Sequence, residues 1–306
     1  MRILLTGGNG MVGRNVRVHT LAVAHELYAP DSKALDLLDR SATSHYVREL
    51  RPDLIIHAAG RVGGIQANIE QPVRFLTENW DMGSNLVLAA RGAGVPRLIN
   101  LGSSCMYPRD REGMLSERDV LTGELEPTNE GYALAKIAVA RLCQYVGREQ
   151  PALAYKTLIP CNLYGMYDKF DPIRSHLIPA ILIKLRQAMR DGSTSVEIWG
   201  DGLARREFMY AGDFAEAVWH AVERFDSLPE MMNVGVGEDH SINDYYTAAA
   251  AVVGYSGGFH HNLDKPVGMR RKLTDTALAS AWGWQSQTSL REGIALTYAY
   301  FLEQVQ

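Results

Sequence analysis

The sequence predicts a doubly wound α/β fold, a parallel sheet with helices on both faces, carrying a smaller α/β domain for substrate. Two observations predict it. Short, almost wholly apolar runs alternate with longer amphipathic stretches through the first half of the chain, the order expected of a sheet buried on both faces. The first run leads straight into a glycine-rich segment, TGGNGMVG at 6–13. Composition permits a full core, since 46% of the 306 residues are hydrophobic and 22% are charged.

In chain order, strands are predicted over 2–6, 26–29, 54–58, 97–101 and 156–162. Each is four to seven residues of mostly apolar side chains. Between them, 41–50, 79–92 and 132–146 carry apolar residues at helical spacing. Beyond Tyr164 the spacing turns irregular: helices are predicted over 178–190, 213–224 and 290–303, and a strand over 195–200. This divides the chain into a dinucleotide-binding domain, 1–164 with roughly 213–240, and a substrate domain, 165–212 with 241–306.

Several function classes are disfavoured. A formal net charge of −4 with no long charge run offers no surface for nucleic acid. No stretch of about 18 apolar residues is present to span a membrane, and MRILLTGG is too short an apolar run for a signal peptide. Cys105, Cys143 and Cys161 are widely spaced, which suits neither a disulfide framework nor a metal pair and points to a reducing, cytoplasmic setting. His260 and His261 lack a supporting carboxylate or cysteine cluster and read as surface residues, so no metal is expected.

The glycine segment carries the first chemistry. Gly7, Gly10 and Gly13 fit G-x-x-G-x-x-G, and Gly8, Gly10 and Gly13 fit G-x-G-x-x-G. Either way the chain must turn tightly, let a diphosphate approach backbone amides, and pack a new helix on the strand. Strand then glycines then helix is the context of a Rossmann-type dinucleotide site. The end of the second strand selects the dinucleotide: an acid there binds a ribose 2′-hydroxyl, a cation a 2′-phosphate. Here Asp31 and Lys33 point in opposite directions.

Tyr132 and Lys136 are one helical turn apart and share a face. An ammonium beside a phenol favours phenolate, so the spacing predicts a Tyr132 pKa below its usual value near 10 and a proton-transfer role. Ser103 ends the fourth strand, where open parallel sheets place ligands. Together Ser103 and Tyr132 are donors for a carbonyl oxygen gaining negative charge, in reduction or in enolisation.

The segments TGGNGMVG, HAAGRVGGI (57–65), LGSSCMYP (101–108), EPTNEGYALAK (126–136), NLYG (162–165), SHLIPA (175–180) and RREF (205–208) occur in that order. Together they resemble the GDP-L-fucose synthase family of extended short-chain dehydrogenases/reductases, across essentially the whole chain. The resemblance implies inversion at C3 and C5 of a GDP-4-keto-6-deoxy-mannose-type sugar, then reduction of the C4 ketone with NADPH. It implies Ser103, Tyr132 and Lys136 as the reductase triad, with Cys105 and His176 as epimerisation base and acid. Thiol and imidazole both exchange protons near pH 7. Around NADP(H) it implies Gly7, Gly10, Met11, Val12, Gly13, Ala58, Ala59 and His176, beside Tyr132 and Lys136, with Ser32 and Lys33 toward the 2′-phosphate. For the sugar nucleotide it implies Ser104 beside Ser103, Asn162 near the sugar or first phosphate, and the cations Lys184, Arg206 and Lys272. Trp199 would stack on guanine or close the pocket.

The sequence departs from the family pattern at Asn9 and Ser32, where arginines are frequent, at Tyr210, Ala211 and Gly212 before Asp213, and at Val267. Relatives acting on a 3-deoxy sugar, toward colitose, or on a heptose would keep most of these motifs. An NAD-bound nucleotide-sugar 4-epimerase or dehydratase is an alternative that needs no thiol–imidazole pair. A non-catalytic NADP(H) sensor is a second, disfavoured by retention of both Tyr132 and Lys136. By analogy with the fold class, the apolar faces of 79–92 and 132–146 suggest a homodimer.

Overall fold

The computed structural model describes residues 1–171, 175–265 and 269–304; Val267 lies outside them. Strand β1 (Arg2–Thr6) enters helix α1 (Met11–Val18), followed by β2 (Glu26–Tyr28), α2 (Arg40–Leu50) and β3 (Leu54–His57). Two helices, α3 (Ile65–Glu70) and α4 (Pro72–Gly92), precede β4 (Arg97–Leu101); α5 (Glu130–Glu149) leads to β5 (Ala154–Pro160) and β6 (Asn162–Tyr164). The remainder comprises α6 (Leu177–Asp191), β7 (Ser195–Trp199), β8 (Arg205–Arg206), β9 (Phe208–Tyr210), α7 (Ala211–Glu223), β10 (Met231–Val234), β11 (His240–Ser241), α8 (Ile242–Val253), β12 (Gly258–Asn262), β13 (Arg271–Lys272), α9 (Ala277–Trp282) and α10 (Leu290–Gln304).

The central sheet is parallel, in the order β10-β5-β4-β3-β1-β2. The chain winds one way from β1 to β2 and the other way from β3 onward. The switch point, where such sheets bind ligands, therefore lies between β1 and β3. Alternation along the strands splits the core in two. Ile3, Leu5, Ile56, Ile99 and Leu101 pack with Val16, Phe214 and Trp219 on one face. Leu4, Ile55 and Leu98 pack with Val47, Val87, Val139 and Val146 on the other. On that face α4 and α5 approach closely at Gly83, where a Cβ would lie 2.4 Å from a Val139 methyl.

Two predicted boundaries move for local reasons. Helix α4 begins at Pro72 rather than 79, because proline suits the first helical turn. The predicted strand over 156–162 divides at Pro160, which has no N–H for the ladder. Beyond it β6 leaves the sheet and pairs with β9. A third cluster, with Ile178, Leu182, Leu185, Ile198, Tyr245 and Ala249, holds α6, β7 and α8 together.

Candidate active site

The loop after β1 is shaped by steric demands on its glycines. Gly7 has φ +72°, and a Cβ there would lie 2.5 Å from Ala59 N and 2.6 Å from the Ala58 carbonyl carbon. A Cβ on Gly13 would lie 2.2 Å from Gly7 O, so α1 packs directly onto the loop. Gly10 differs, since its Cβ would meet only Gly7 O, at an ordinary 3.5 Å. Protein packing does not require glycine at position 10; close approach of a ligand to the backbone does. The first amides of α1, Met11 and Val12 among them, have no intrahelical partner, and Gly10 offers no side-chain cap. That donor set fits a dinucleotide diphosphate.

Asp31 and Lys33 both lie in the exposed segment after β2. Asp31 Oδ1 accepts from Lys33 N at 3.0 Å and Ala34 N at 2.9 Å, so this oxygen caps its own turn. Ser32 and Lys33 are exposed beside it. Arg17, on α1, folds back to donate to Asn9 Oδ1 at 3.1 Å and Gly8 O at 3.3 Å. A cation therefore stands at the loop although Asn9 replaces arginine. Sequence reasoning missed Arg17 because no motif links residues eight apart.

Of the residues predicted to act in catalysis, Ser103, Cys105, Tyr132 and Lys136 gather beyond the carboxyl end of β4. Ser103 Oγ accepts from Cys105 N at 3.2 Å, starting a tight turn over Ser104–Met106. The Tyr132 phenol is a near neighbour of Ser103. Ser104 is buried within the turn. Lys136 Nζ donates to Leu101 O at 2.9 Å and stands 5.8 Å from the centre of the Tyr132 ring. Burial pulls the Lys136 pKa down to about 8. Contrary to the expectation from the Tyr–Lys spacing, Tyr132 is shifted upward. Burial is the larger cause and the neighbouring Cys105 the next, only partly opposed by Ser103. The phenol is thus held protonated, the form a proton donor needs. Below it, burial and then the Lys136 charge depress the His57 pKa to about 3, and this neutral ring hydrogen-bonds Thr6 Oγ1 at 2.9 Å.

Cys105 is half-buried. Asn129 Nδ2 lies 3.2 Å from its sulfur and Lys272 Nζ 3.7 Å. His176 is the N-cap residue of α6, yet its side chain makes no capping bond. Ser175 ties the preceding loop, donating to Lys169 O at 2.6 Å and accepting from Asp171 N at 2.7 Å. Burial first, then the Lys169 charge, lowers the His176 pKa. Among the described residues no hydrogen bond joins His176 to Cys105.

Strand alternation explains the two arginine-rich runs. β13 pairs with β8 so that Arg271 faces Arg205 and Lys272 faces Arg206. Arg205 and Arg271 clamp the buried Asp239 carboxylate from both sides. Arg206 and Lys272 take the opposite face, where Lys272 reaches Cys105. Glu207, missed from sequence, fastens this face. It is 1% exposed and accepts from Val236 N, Gly237 N, Thr274 N and Thr274 Oγ1, all at 2.7–2.8 Å. Asn162 donates to Glu207 O at 2.9 Å. Trp199 is 54% exposed, with Lys184 Nζ at 5.4 Å and Lys265 Nζ at 5.3 Å from its ring centre. Lys184 also bonds Glu197 O at 3.2 Å. Asn129 was missed as well. Its place one turn before Tyr132, at the start of α5, was the available signal.

Comparison with known proteins follows the same lines. The model of the NAD dependent epimerase/dehydratase family matches residues 3–235. The chain is 52% identical over 304 residues to GDP-L-colitose synthase of Yersinia pseudotuberculosis, covering 99% of each chain. It is 50% identical over 301 residues to GDP-L-fucose synthase of Azorhizobium caulinodans, covering 98% of this chain and 96% of the relative. Among solved structures, the GDP-mannoheptose C4 reductase from Campylobacter jejuni with NADP bound superposes with a TM-score of 0.88 at 27% identity, covering 98% of both chains.

Proposed function

The chain belongs to the NAD dependent epimerase/dehydratase family, and we propose that it epimerises a GDP-4-keto-6-deoxy-mannose-type sugar at C3 and C5 and then reduces its C4 ketone with NADPH, giving GDP-L-fucose. The observation that carries this reading is a thiol, Cys105, whose backbone N–H donates to Ser103 Oγ and which neighbours Tyr132, at the end of β4. A 4-epimerase or dehydratase that only returns its hydride needs no such thiol.

Gly7, Gly10, Met11, Val12, Gly13, Ala58 and Ala59 would hold NADP(H), with Arg17, Ser32 and Lys33 toward the 2′-phosphate. Bound there, the dinucleotide supplies a hydride to C4. Ser103 and Tyr132 donate to the ketone oxygen, stabilising negative charge in both half-reactions. Cys105 removes a proton from carbon next to the ketone, and His176 returns one to the opposite face. Burial keeps His176 neutral at rest; negative charge developing on the sugar favours its protonated form. Tyr132 finally protonates the C4 oxygen, which its raised pKa equips it to do only against a strongly basic alkoxide. Arg206 and Lys184 offer cations to the diphosphate, and Trp199 offers a ring face to the guanine.

Residues 1–164 with 213–240 act in this reading as the NADP-binding domain, and 165–212 with 241–306 as the sugar-nucleotide domain. Val73, Leu76 and Trp80 on α4 and Leu134 and Tyr145 on α5 are exposed apolar residues suited to a two-fold interface. Light scattering after size exclusion should give twice the 33.9 kDa chain mass. Among the described residues no helix is long and apolar enough to cross a membrane, and the three cysteines are free, which supports work in the cytoplasm.

A second reading keeps the chemistry but takes a GDP-4-keto-3,6-dideoxy sugar, favoured by the 52% identity to a colitose synthase. One experiment separates the two. GDP-4-keto-6-deoxy-D-mannose is incubated with NADPH in deuterated water. Stoichiometric NADPH oxidation and a fucose product labelled at C3 and C5 support the main reading. The same incubation with the 3-deoxy substrate completes the test: turnover of that substrate alone, labelled at C5 alone, selects the second reading, and recovery of both substrates without NADPH oxidation overturns both.

A further inference from the structure

Among the described residues, the polar side chains that contact the Cys105 sulfur, Asn129 and Lys272, are both donors. Asn129 presents its amide nitrogen at 3.2 Å and Lys272 its ammonium at 3.7 Å. An ammonium has no acceptor, so an S–H group cannot donate to Lys272, and a neutral sulfur accepts only weakly. Both contacts are best satisfied by a sulfur carrying negative charge.

Asn129 is also diverted from its ordinary task. It is the N-cap residue of α5, a position where asparagine is preferred because its oxygen accepts from the first turn of the helix. Here the side chain makes no capping bond. Its Oδ1 is buried and has no partner, while Nδ2 is directed to the sulfur. The helix forgoes that cap. The same geometry sets the sulfur beside the amino end of a 20-residue helix, where the backbone dipole favours an anion.

We propose that Asn129 is a positioning residue for the epimerisation half-reaction: with Lys272 it holds the Cys105 sulfur in its thiolate form as the base that attacks the sugar. The inference rests on the reading of Cys105 given above. In the step itself the carbon–hydrogen bond next to the ketone breaks, a sulfur–hydrogen bond forms, and the released electron pair moves to the carbonyl oxygen held by Ser103 and Tyr132.

The test uses the folded full chain and needs no substrate for its main arm. Cys143 and Cys161 are buried at 0% and 5% exposure, so alkylation by iodoacetamide reads Cys105. Asn129→Ala should slow alkylation at pH 7 about tenfold and move its rate-against-pH curve to higher pH. Asn129→Asp, which sets a carboxylate against the sulfur, should slow it further, and Asn129→Gln should restore part of the rate. Lys272→Met should slow alkylation and Lys272→Arg retain it, which keeps the inference open to test if an Asn129 variant fails to fold. NADPH binding, followed by its fluorescence, should stay within about twofold in the Asn129 variants, because no cofactor contact is removed. Deuterium wash-in to GDP-4-keto-6-deoxy-D-mannose without NADPH should fall in parallel with alkylation. Wild-type alkylation in Asn129→Ala, or equal rates in the Ala and Asp variants, would overturn the proposal. Absence of wash-in with the unmodified protein would instead reject the substrate reading, while the alkylation series still decides the role of Asn129.

Discussion

The two ends of the candidate site are built by different means. The cofactor end is mostly backbone, a single contiguous loop over 6–13 pressed against Ala58 and Ala59. The thiol end is made of side chains from segments far apart in the chain: Ser103 and Cys105 after β4, Asn129 and Tyr132 at the start of α5, Lys272 on β13. A backbone site tolerates a change of side chain, as Asn9 shows, but not an added Cβ at its tight points. A side-chain site depends on particular atoms, while the fold beneath it survives their loss. Changes at the first end should therefore impair folding and binding together, and changes at the second chemistry alone.

That contrast can be broken in four places. The largest effect is expected for Tyr132→Phe, which removes one oxygen and little volume. NADPH oxidation should fall about 10²–10⁴-fold with NADPH binding retained; a rate within tenfold of the parent would mean that another group donates the proton. Next is His57, beneath the cofactor end. Its folded pKa of about 3 lies below the ordinary 6.5, so the unfolded chain binds the extra proton between those values. Stability from this group is present above pH 6.5 and is lost as pH falls toward 3, on the order of 5 kcal/mol in all. Chemical denaturation of His57→Asn should show a shallower acid slope than the parent over that window; equal slopes would remove His57 from the account. Gly13→Ala drives a methyl to 2.2 Å from Gly7 O and should cost about 1–3 kcal/mol in thermal unfolding while weakening NADPH binding. An unaltered melting temperature there would show that the loop is more compliant than its contacts imply. Smallest is Trp199→Ala, at a half-exposed ring, with stability within about 0.5 kcal/mol and a severalfold rise in KM for the sugar nucleotide. A changed kcat with constant KM would place the ring nearer the chemistry than the guanine.

Legibility followed the same division. β1 and β4 match their predicted bounds, because a strand buried on both faces reads as an unbroken apolar run. Helix α8 was not foreseen, although Ser241 and Asp244 form a capping box at its start, a local signal that was present. β8, β11 and β13 were out of reach for a better reason. They are two residues each and are strands only by pairing with one another. The phenol showed the limit of spacing arguments: i and i+4 put Lys136 on the right face, but burial outweighed its charge and raised the Tyr132 pKa.

By itself the sequence determined the parallel sheet and the glycine turn, since each rests on periodicity or on neighbours within a few positions. Only the tertiary structure decided which arginine of each pair meets Asp239, which cation meets the thiol, and that Asn129 leaves its helix for the sulfur. Those outcomes depend on strand register and on contacts between residues as far apart as Cys105 and Lys272, and a hydrogen bond across 167 positions leaves no local pattern to read.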